Sequence, residues 1–399
     1  MMSSRRGPLG LLILSLLGLS LCLYLTYLHL GLLRGEVLGG LACGGSGLFN
    51  CHAVTASRWG SVLGIPLSLW GLLGYAAAVQ LALFAWLSPE WRTSALLLLA
   101  GFGALWVSID AGLAVVMAVQ IRHLCPLCLL TYAVNLILLV GAKQALSLPW
   151  SQVWQRLPQA WASLWPSSQR PYSIVFWTTT AGAALAILAF HAAILFVTHS
   201  DPALLRSQLR DFVAQQPPGV PDVTGDPARG PDGGGLQVVE FSDFLCPVCR
   251  RASKFNEILL TNHRREMRFV FKQFPLDMTC NATINHTVHP GACAVAAASE
   301  CVHRQGKFWP FHDVVFQDEG TYEVSRLAED AAGLGLDRAQ FDACMSSGQG
   351  MAAVQRDITE GQRLGVISTP TYFINGYRFS GLLPPHIFEE IVAVVKERH

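Results

Sequence analysis

Two cysteine pairs of one spacing, Cys125-Pro126-Leu127-Cys128 and Cys246-Pro247-Val248-Cys249, carry the clearest chemistry in this chain. Two thiols three residues apart at a helix start can close a disulfide across one turn. The helix N-terminus lowers the pKa of a thiol beside it, and the thiolate is the reactive form. The first pair runs into Leu129-Leu130-Thr131-Tyr132-Ala133-Val134-Asn135 and further aliphatics, so it faces a membrane interior. A dithiol at that depth can meet a lipid-soluble oxidant that thiols in water never reach. The second pair lies in polar sequence, and electrons are expected to pass from it to the first. A zinc site pooling all four sulfurs would need tetrahedral closure across a tether and a membrane helix, which disfavours it.

The surrounding composition says where such chemistry happens. Of 399 residues, 52% are hydrophobic and 14% charged, against about 25% charged in a typical soluble domain. The charge deficit sits in the first half, where aliphatic runs are long enough to cross a bilayer. A net charge of +1 with no basic block argues against nucleic acid. Eleven cysteines, most beside Pro, Gly or polar residues, indicate an oxidising compartment. Cys22, inside an apolar run, reads as an inert packing thiol.

The elements that must position the two pairs follow from the pattern. Arg5 and Arg6 precede an apolar run over 9–33, which begins like a signal peptide. It is too long for one and lacks a small-residue cleavage site, so it reads as a first span. Further spans are expected at 61–87, 94–119, 124–146 and 173–197. With the N-terminus inside, the inner flanks hold Arg5, Arg6, Arg92, Lys143, Arg156 and Arg170, and the outer flanks Arg34, Arg58 and Arg122. The bias favours that orientation. Five spans then place the C-terminal half outside, on the same face as the 35–60 loop and Cys125.

The expected organisation is a four-helix membrane bundle at 8–147, then a cytoplasmic connector and fifth linking span at 148–198. A Pro/Gly-rich mobile tether at 199–236 leads to an α/β domain at 237–399. In that last domain, 237–241, 268–274, 371–374 and 377–380 read as strands, the last two joined at Asn375-Gly376. A helical block fills 290–364 and a closing helix 385–397.

Cys43 and Cys51 flank Gly44-Gly45-Ser46-Gly47 in the first outer loop. Spacing alone leaves two readings open, a static loop disulfide and a swinging relay to the membrane dithiol. The run Cys51-His52-Ala53-Val54-Thr55-Ala56-Ser57-Arg58-Trp59-Gly60, with Cys125-Pro126-Leu127-Cys128 and Thr131-Tyr132-Ala133-Val134-Asn135, resembles the vitamin K epoxide reductase family over about 9–146. The resemblance implies that Cys43 takes electrons from a thioredoxin-like partner and that Cys51 hands them to Cys125. Cys128 would then reduce a quinone, with Tyr132 beside its carbonyl oxygen. It also implies a quinone-side role for Ser57, Arg58 and Trp59, whose plainer reading is a polar loop with an interfacial aromatic anchor. Animal members carry an asparagine near the start of the second span, where this chain has Ile65-Pro66-Leu67-Ser68. That departure points to ordinary quinone reduction, not epoxide chemistry. Asp110, an intramembrane carboxylate, is a site candidate by position, with no partner evident in the sequence.

The second cysteine pair follows a strand and opens a helix, the signature of a thioredoxin fold. Cys246 is expected to be exposed and attacking, Cys249 buried and resolving. Thr369-Pro370, just before the 371–374 strand, supplies the proline that packs on the dithiol, expected as a cis bond. The run Val239-Glu240-Phe241-Ser242-Asp243-Phe244-Leu245-Cys246-Pro247-Val248-Cys249, with Phe373-Ile374-Asn375-Gly376, resembles the DsbA-like thiol oxidoreductases over about 237–399. That implies a buried Glu240 managing the proton of Cys249. The Pro-Val dipeptide lacks the histidine that stabilises the thiolate in the strongest oxidants of that family. Cys280 with Cys293 and Cys301 with Cys344 read as structural staples, the first closing a loop worth about 3 kcal/mol. His286, His289, His303 and His312 match no metal-ligand spacing. Asn281-Ala282-Thr283 and Asn285-His286-Thr287 are glycosylation sequons, without meaning in a bacterial host.

Taken together these readings describe a membrane-anchored disulfide-forming oxidase of a bacterial inner membrane. Reduced secreted or periplasmic proteins are the expected donors, ubiquinone or menaquinone the acceptor, and membrane lipid the surroundings. The rivals are a quinone or vitamin K reductase driven by a thiol reductant, a membrane-anchored thiol chaperone or isomerase, and a transporter-like bundle with a receptor domain. The orientation is directly testable. A reporter active only outside the cytoplasm, fused at Trp150 or at Gly230, should give signal at Gly230 alone, and signal at Trp150 would reverse the topology.

Overall fold

Between Arg6 and Leu33 the chain carries no Asp, Glu, Lys or Arg, and only a helix satisfies the backbone of such a segment in lipid. The computed structural model describes residues 3–36, 38, 43, 49–165, 171–197, 202–317 and 322–398. Two compact units result, one of Met1–Leu32 and Leu38–His199, the other of Leu33–Val37 and Ser200–His399.

In the first unit α1 (Ser3–Leu33) is followed by the short α2 (Cys51–Thr55) and a hairpin of β1 (Ser61–Val62) and β2 (Ile65–Pro66). Then come α3 (Leu67–Leu87), α4 (Arg92–Val116) with a π-turn at Met117–Ile121, α5 (Pro126–Leu146), α6 (Trp150–Ser163) and α7 (Pro171–Val197). Among the described residues five helices are long and apolar enough to cross a membrane: α1, α3, α4 with its π-turn, α5 and α7.

One expectation is corrected here. Residues 61–66 are not the start of the second span. Leu63 and Gly64 take left-handed φ values of 55° and 76° at the hairpin turn, and Pro66, without an N–H, becomes the N-cap of α3. The connector before the fifth span carries α6. That helix turns Val153 and Ala160 inward and leaves Trp150, Trp154 and Trp161 exposed, a pattern suited to a membrane interface. Small residues let the spans approach closely. Gly103 of α4 has the backbone of Leu139 on α5 against it, and Gly18 of α1 lies under the Tyr75 ring of α3.

The second unit begins with α8 (Pro202–Ala214) and the two-residue β3 (Ala228–Arg229), then β4 (Leu236–Ser242), α9 (Pro247–Asn262) and β5 (Met267–Gln273). A helical insertion follows: α10 (Ala292–His303), α11 (Phe308–Gln317), a 3-10 turn at Val324–Arg326, α12 (Leu327–Gly333), α13 (Arg338–Ser346) and α14 (Gln349–Arg363). The chain closes with β6 (Thr371–Ile374), β7 (Tyr377–Ser380) and α15 (Pro385–Lys396). Strand order is β3-β5-β4-β6-β7, with β4 and β5 parallel and the other pairings antiparallel. Both faces of β4 are covered, as a buried parallel pair requires. Val238 packs toward α9 and α15 with Leu259, Phe388 and Ile391, while Val239 and Phe241 face the other way with Val270, Phe274 and Phe373. Asn375 and Gly376, at φ 46° and 89°, form the hairpin turn between β6 and β7.

The expectation of a free tether over 199–236 is also corrected. Helix α8 buries Val213 in the domain core and pairs Arg206 with Glu390 and Arg210 with Glu397 on α15. Beyond it the chain is strapped down: Gly219 N–H donates to the Gly376 carbonyl at 2.8 Å, and Asp222 N–H to Glu360 at 2.5 Å. A Pro/Gly-rich composition thus marks a segment without helix here, one whose polar groups are met by the domain. Asp226 at its end reaches Lys272, which is only 4% exposed and also meets Asp357 and Glu360, at 2.7, 2.9 and 2.9 Å respectively. This one ammonium neutralises a buried acidic cluster. Burial pushes Asp357 up to about 7 and raises Asp226 as well. Lys272→Met should therefore destabilise the unit by about 3–5 kcal/mol at pH 8. The loss should be smaller at pH 5.5, where the stranded carboxylates take up protons. Pulse proteolysis of the full chain in urea at the two pH values measures both.

Candidate functional site

Cys125 occupies the N-cap of α5 with Pro126 at the first helical position, where a missing N–H costs nothing. Its sulfur accepts the N–H of Cys128 at 3.1 Å, and the two cysteines are joined as a disulfide with Cα atoms 5.2 Å apart. Cys43 and Cys51 form a second disulfide, Cα atoms 4.7 Å apart. Cys51 opens α2, whose N-cap Asn50 accepts from Ala53 N–H at 2.9 Å. Asn50 in turn donates its own N–H to the carbonyl of Leu124 at 3.0 Å. The residue before Cys51 is therefore tied to the residue before Cys125. Cys43, Cys51 and Cys125 share one buried cluster with Leu25, Leu28, Met117 and Ile121, and Cys128 and Tyr132 pack against it. The Gly44-Gly45-Ser46-Gly47 segment lies outside the described residues.

A cavity opens beside Cys128. Tyr132, Trp59, Leu25, Met117 and Ser68 are among the residues that line it. Cys128 and Tyr132 reach it together because residues four apart share a helix face. The three residues of the 57–59 run separate here. Trp59 lines the cavity, and its indole N–H donates to Gln120 of the π-turn at 3.0 Å. Arg58 donates to the same oxygen at 3.3 Å, and the Ser57 hydroxyl turns back to the Val54 carbonyl at 2.7 Å. Neither of these two lines the cavity. Asp110, for which the sequence shows no partner, has one: Asn135 Nδ2 donates to its Oδ2 at 2.8 Å, and the Tyr75 hydroxyl donates to Asn135 Oδ1 at 2.6 Å.

In the second unit Cys246 caps α9 and Pro247 takes the first helical position, repeating the arrangement at Cys125. The N–H of Cys249 donates to Cys246 Sγ at 3.4 Å, and both thiols are free. A hydrogen bond from the Cys249 thiol, helped by the backbone N–H groups of Cys249 and Val248, lowers Cys246 to about 6. Burial, followed by its bond to Cys246, drives Cys249 well up. Cys246 is 5% exposed, so the expected open thiol is instead an accessible edge in a nearly closed surface. Its sulfur lies 3.7 Å from the carbonyl of Thr369, which precedes the cis Pro370. Glu240, 1% exposed on β4, is pushed up to about 8 by burial, and Asn256 Nδ2 donates to its Oε2 at 2.6 Å. The Tyr372 hydroxyl donates to Asn256 Oδ1 at 3.2 Å and completes the chain of bonds.

Cys280 and Cys293 are bonded, as are Cys301 of α10 and Cys344 of α13. The histidines find partners other than a metal: His303 meets the Gly225 carbonyl and His312 meets Asp313. His289 is a site residue that sequence reasoning misses. Its Nδ1 lies 2.8 Å from Asp243 Oδ2, across 46 residues. Asp243 is buried and also accepts the N–H groups of Leu245 and Leu276, at 2.7 and 2.8 Å, shaping the approach to Cys246. The bond to Asp243 raises the pKa of His289, and the negative charge of Cys246 raises it further. A histidine is thus supplied from the loop before α10, in a domain whose Pro-Val dipeptide has none. Only the Asp at the end of a strand and the His in a Pro-rich loop could have hinted at it.

Dithiols capped on two helices, one in a membrane bundle and one in an α/β domain, define a membrane thiol–disulfide oxidoreductase. Residues 9–142 match the model of the vitamin K epoxide reductase family, and residues 223–394 match a thioredoxin model. The chain is a fusion of these two kinds of domain. Among solved structures it is similar to BdbD from Bacillus subtilis in its oxidised form, at 23% identity and TM-score 0.39, covering 45% of this chain and 97% of that one. A thioredoxin-like oxidoreductase from Silicibacter pomeroyi DSS-3 gives 23% identity and TM-score 0.38, covering 47% and 98%. Among curated proteins, the Na(+)/H(+) antiporter NhaA of Herminiimonas arsenicoxydans is 34% identical over 166 residues, which are 42% of this chain and 24% of the antiporter. The chain spans about a quarter of the length of the curated relatives it matches.

The thiolate assignment has a direct test in the full chain. Alkylation of Cys246 should titrate with a midpoint near pH 6, while Cys249 stays unreactive through neutrality. His289→Gln should move the Cys246 midpoint upward, because coupled charges shift each other. An unmoved midpoint would remove His289 from the site.

Proposed function

We propose that the chain forms disulfides in secreted proteins and delivers the electrons to a membrane quinone. Reduced clients give electrons to Cys246/Cys249, which pass them to Cys43/Cys51, then to Cys125/Cys128. The observation that carries this reading is the single buried cluster holding Cys43, Cys51 and Cys125, with a cavity at Cys128. Thiol–disulfide exchange needs sulfur to approach sulfur, and the Asn50–Leu124 tie keeps the two pairs neighbours. The Lys/Arg bias supports an outer, periplasmic location for all three pairs in a bacterial inner membrane. Fusion makes the inter-domain step intramolecular, at an effective concentration on the order of mM for a short linker.

The cavity suits a quinone headgroup: apolar Leu25 and Met117 exclude water, the Trp59 ring offers a flat face, and Tyr132 offers a hydroxyl. When bound, a quinone supplies a two-electron, two-proton acceptor. The chain's own residues do the rest. Cys128 lies on the first turn of α5, and Cys125 stands ready to close the disulfide behind it. Tyr132 donates a hydrogen bond where negative charge develops.

The test is quinone reduction by purified protein given a reduced, unfolded substrate. Cys128→Ala should abolish it. Tyr132→Phe should slow it about tenfold, the ~1.4 kcal/mol of one modest hydrogen bond. Client oxidation without any quinone consumption would sink the reading in favour of a chaperone or isomerase.

A further inference from the structure

Each dithiol has the same three side chains beneath it. In the second unit Tyr372 donates to Asn256, and Asn256 donates to the buried acid Glu240. In the membrane unit Tyr75 donates to Asn135, and Asn135 donates to Asp110. The asparagine follows the second cysteine by seven residues in both helices, Cys249 to Asn256 and Cys128 to Asn135. Seven residues are about two turns, so each asparagine lies on the face of its dithiol. The acid comes from the neighbouring element each time, β4 in one unit and α4 in the other.

Helical spacing places Asp110 relative to the cavity. Leu113 and Tyr132 both line it. Asp110 precedes Leu113 by three residues, and Asn135 follows Tyr132 by three, so both sit nearly one turn further into the bundle, roughly 4.5 Å along the axis. The ionisable groups that face Asp110 are Cys22 on α1, Tyr75 on α3 and Tyr132 on α5. Gly18 on α1 leaves the space that the Tyr75 ring occupies. A tie between spans needs only a neutral acceptor for Asn135. An acid is expensive at this depth, and its presence calls for proton chemistry.

We infer that Asp110 is the proton holder of the membrane dithiol, exchanging a proton with the cysteines and the cavity through Tyr132, which faces it and lines the cavity with Cys128. The inference rests on the quinone-linked reading above. Closing the Cys125–Cys128 bond breaks two S–H bonds and releases two protons and two electrons, and the quinone acceptor consumes two of each. Asp110 takes up one of the two thiol protons and gives it up on the cavity side, the other passing from Cys128 to the acceptor within the cavity, so Asp110 ends each turnover in its starting state. Asn135 and Tyr75 fix the carboxyl between the two.

The experiment uses the purified full chain and two variants. Asp110→Asn keeps an acceptor for Asn135 and preserves the tie, while Asp110→Glu keeps the acid. Infrared difference spectra between dithiol-reduced and oxidised protein, without quinone, should show a carboxyl C=O band that is absent from Asp110→Asn and shifted in Asp110→Glu. With a short-chain ubiquinone and a small dithiol, Asp110→Asn should lose about 100-fold or more in kcat. Its KM should stay within about twofold, and Asp110→Glu should recover most of the rate. A wild-type kcat and an unchanged spectrum in Asp110→Asn would overturn the inference. So would equal losses in both variants accompanied by a lowered Tm, which would make the triad a structural tie. If wild-type protein reduces no quinone at all, the quinone-linked reading fails, and the carboxyl band alone then decides whether Asp110 carries a proton for the dithiol.

Discussion

A sulfur at the N-cap of a helix is the interaction on which both units depend. The first turn of any helix leaves backbone N–H groups without partners, and Ser, Thr, Asp or Asn usually meets one of them. Here Cys125 and Cys246 take that place, each accepting the N–H of the cysteine three residues on, at 3.1 and 3.4 Å. The same geometry that caps the helix brings the second sulfur within bonding reach and sets the first in the helix's positive field. The rest of each unit serves this placement. In one, the end of β4 and the Asp243 turn deliver Cys246; in the other, the π-turn of α4 and the Asn50–Leu124 bond deliver Cys125.

What differs between the two caps is how the charge is handled. At Cys246 the low pKa stands against the high one of Cys249, and Glu240 is kept buried beside that pair. Such a carboxyl, raised to about 8, is a liability for stability: the unfolded chain would ionise it near 4.5, so it favours unfolding increasingly as pH rises between those values. Its cost is offset by packing that leaves β4 almost wholly enclosed.

Much of this was legible in the residues. Strands 371–374 and 377–380 follow from β-branched and aromatic residues flanking Asn375-Gly376, and the spans follow from unbroken apolar runs. Local signals of that kind survive without knowledge of the fold. The partnerships did not: His289 with Asp243, Asn135 with Asp110 and Lys272 with three acids each join residues far apart in sequence. Helices α6 and α8 were missed because their apolar stripes are narrow and their polar faces resemble loops. The Pro/Gly-rich stretch after α8 misled for a related reason. Its composition reports that it cannot be helix, and says nothing about whether a neighbouring surface will accept its backbone.

That strapped segment has a consequence for the sheet it reaches. Strand β5 is parallel to β4 on one side, and on the other it would present a bare row of N–H and C=O groups. The two residues of β3 pair with it there, Ala228 opposite Val270 and Arg229 opposite Phe269. Gly230 then turns away at φ 93°, where a side chain would strike the Met267 carbonyl. A longer partner would itself become a new open edge. So short a strand pairs with two residues of β5 and stops, which interrupts the open edge and defends against strand-to-strand aggregation. The segment that leads into the domain therefore also helps keep its sheet from recruiting a strand from another chain.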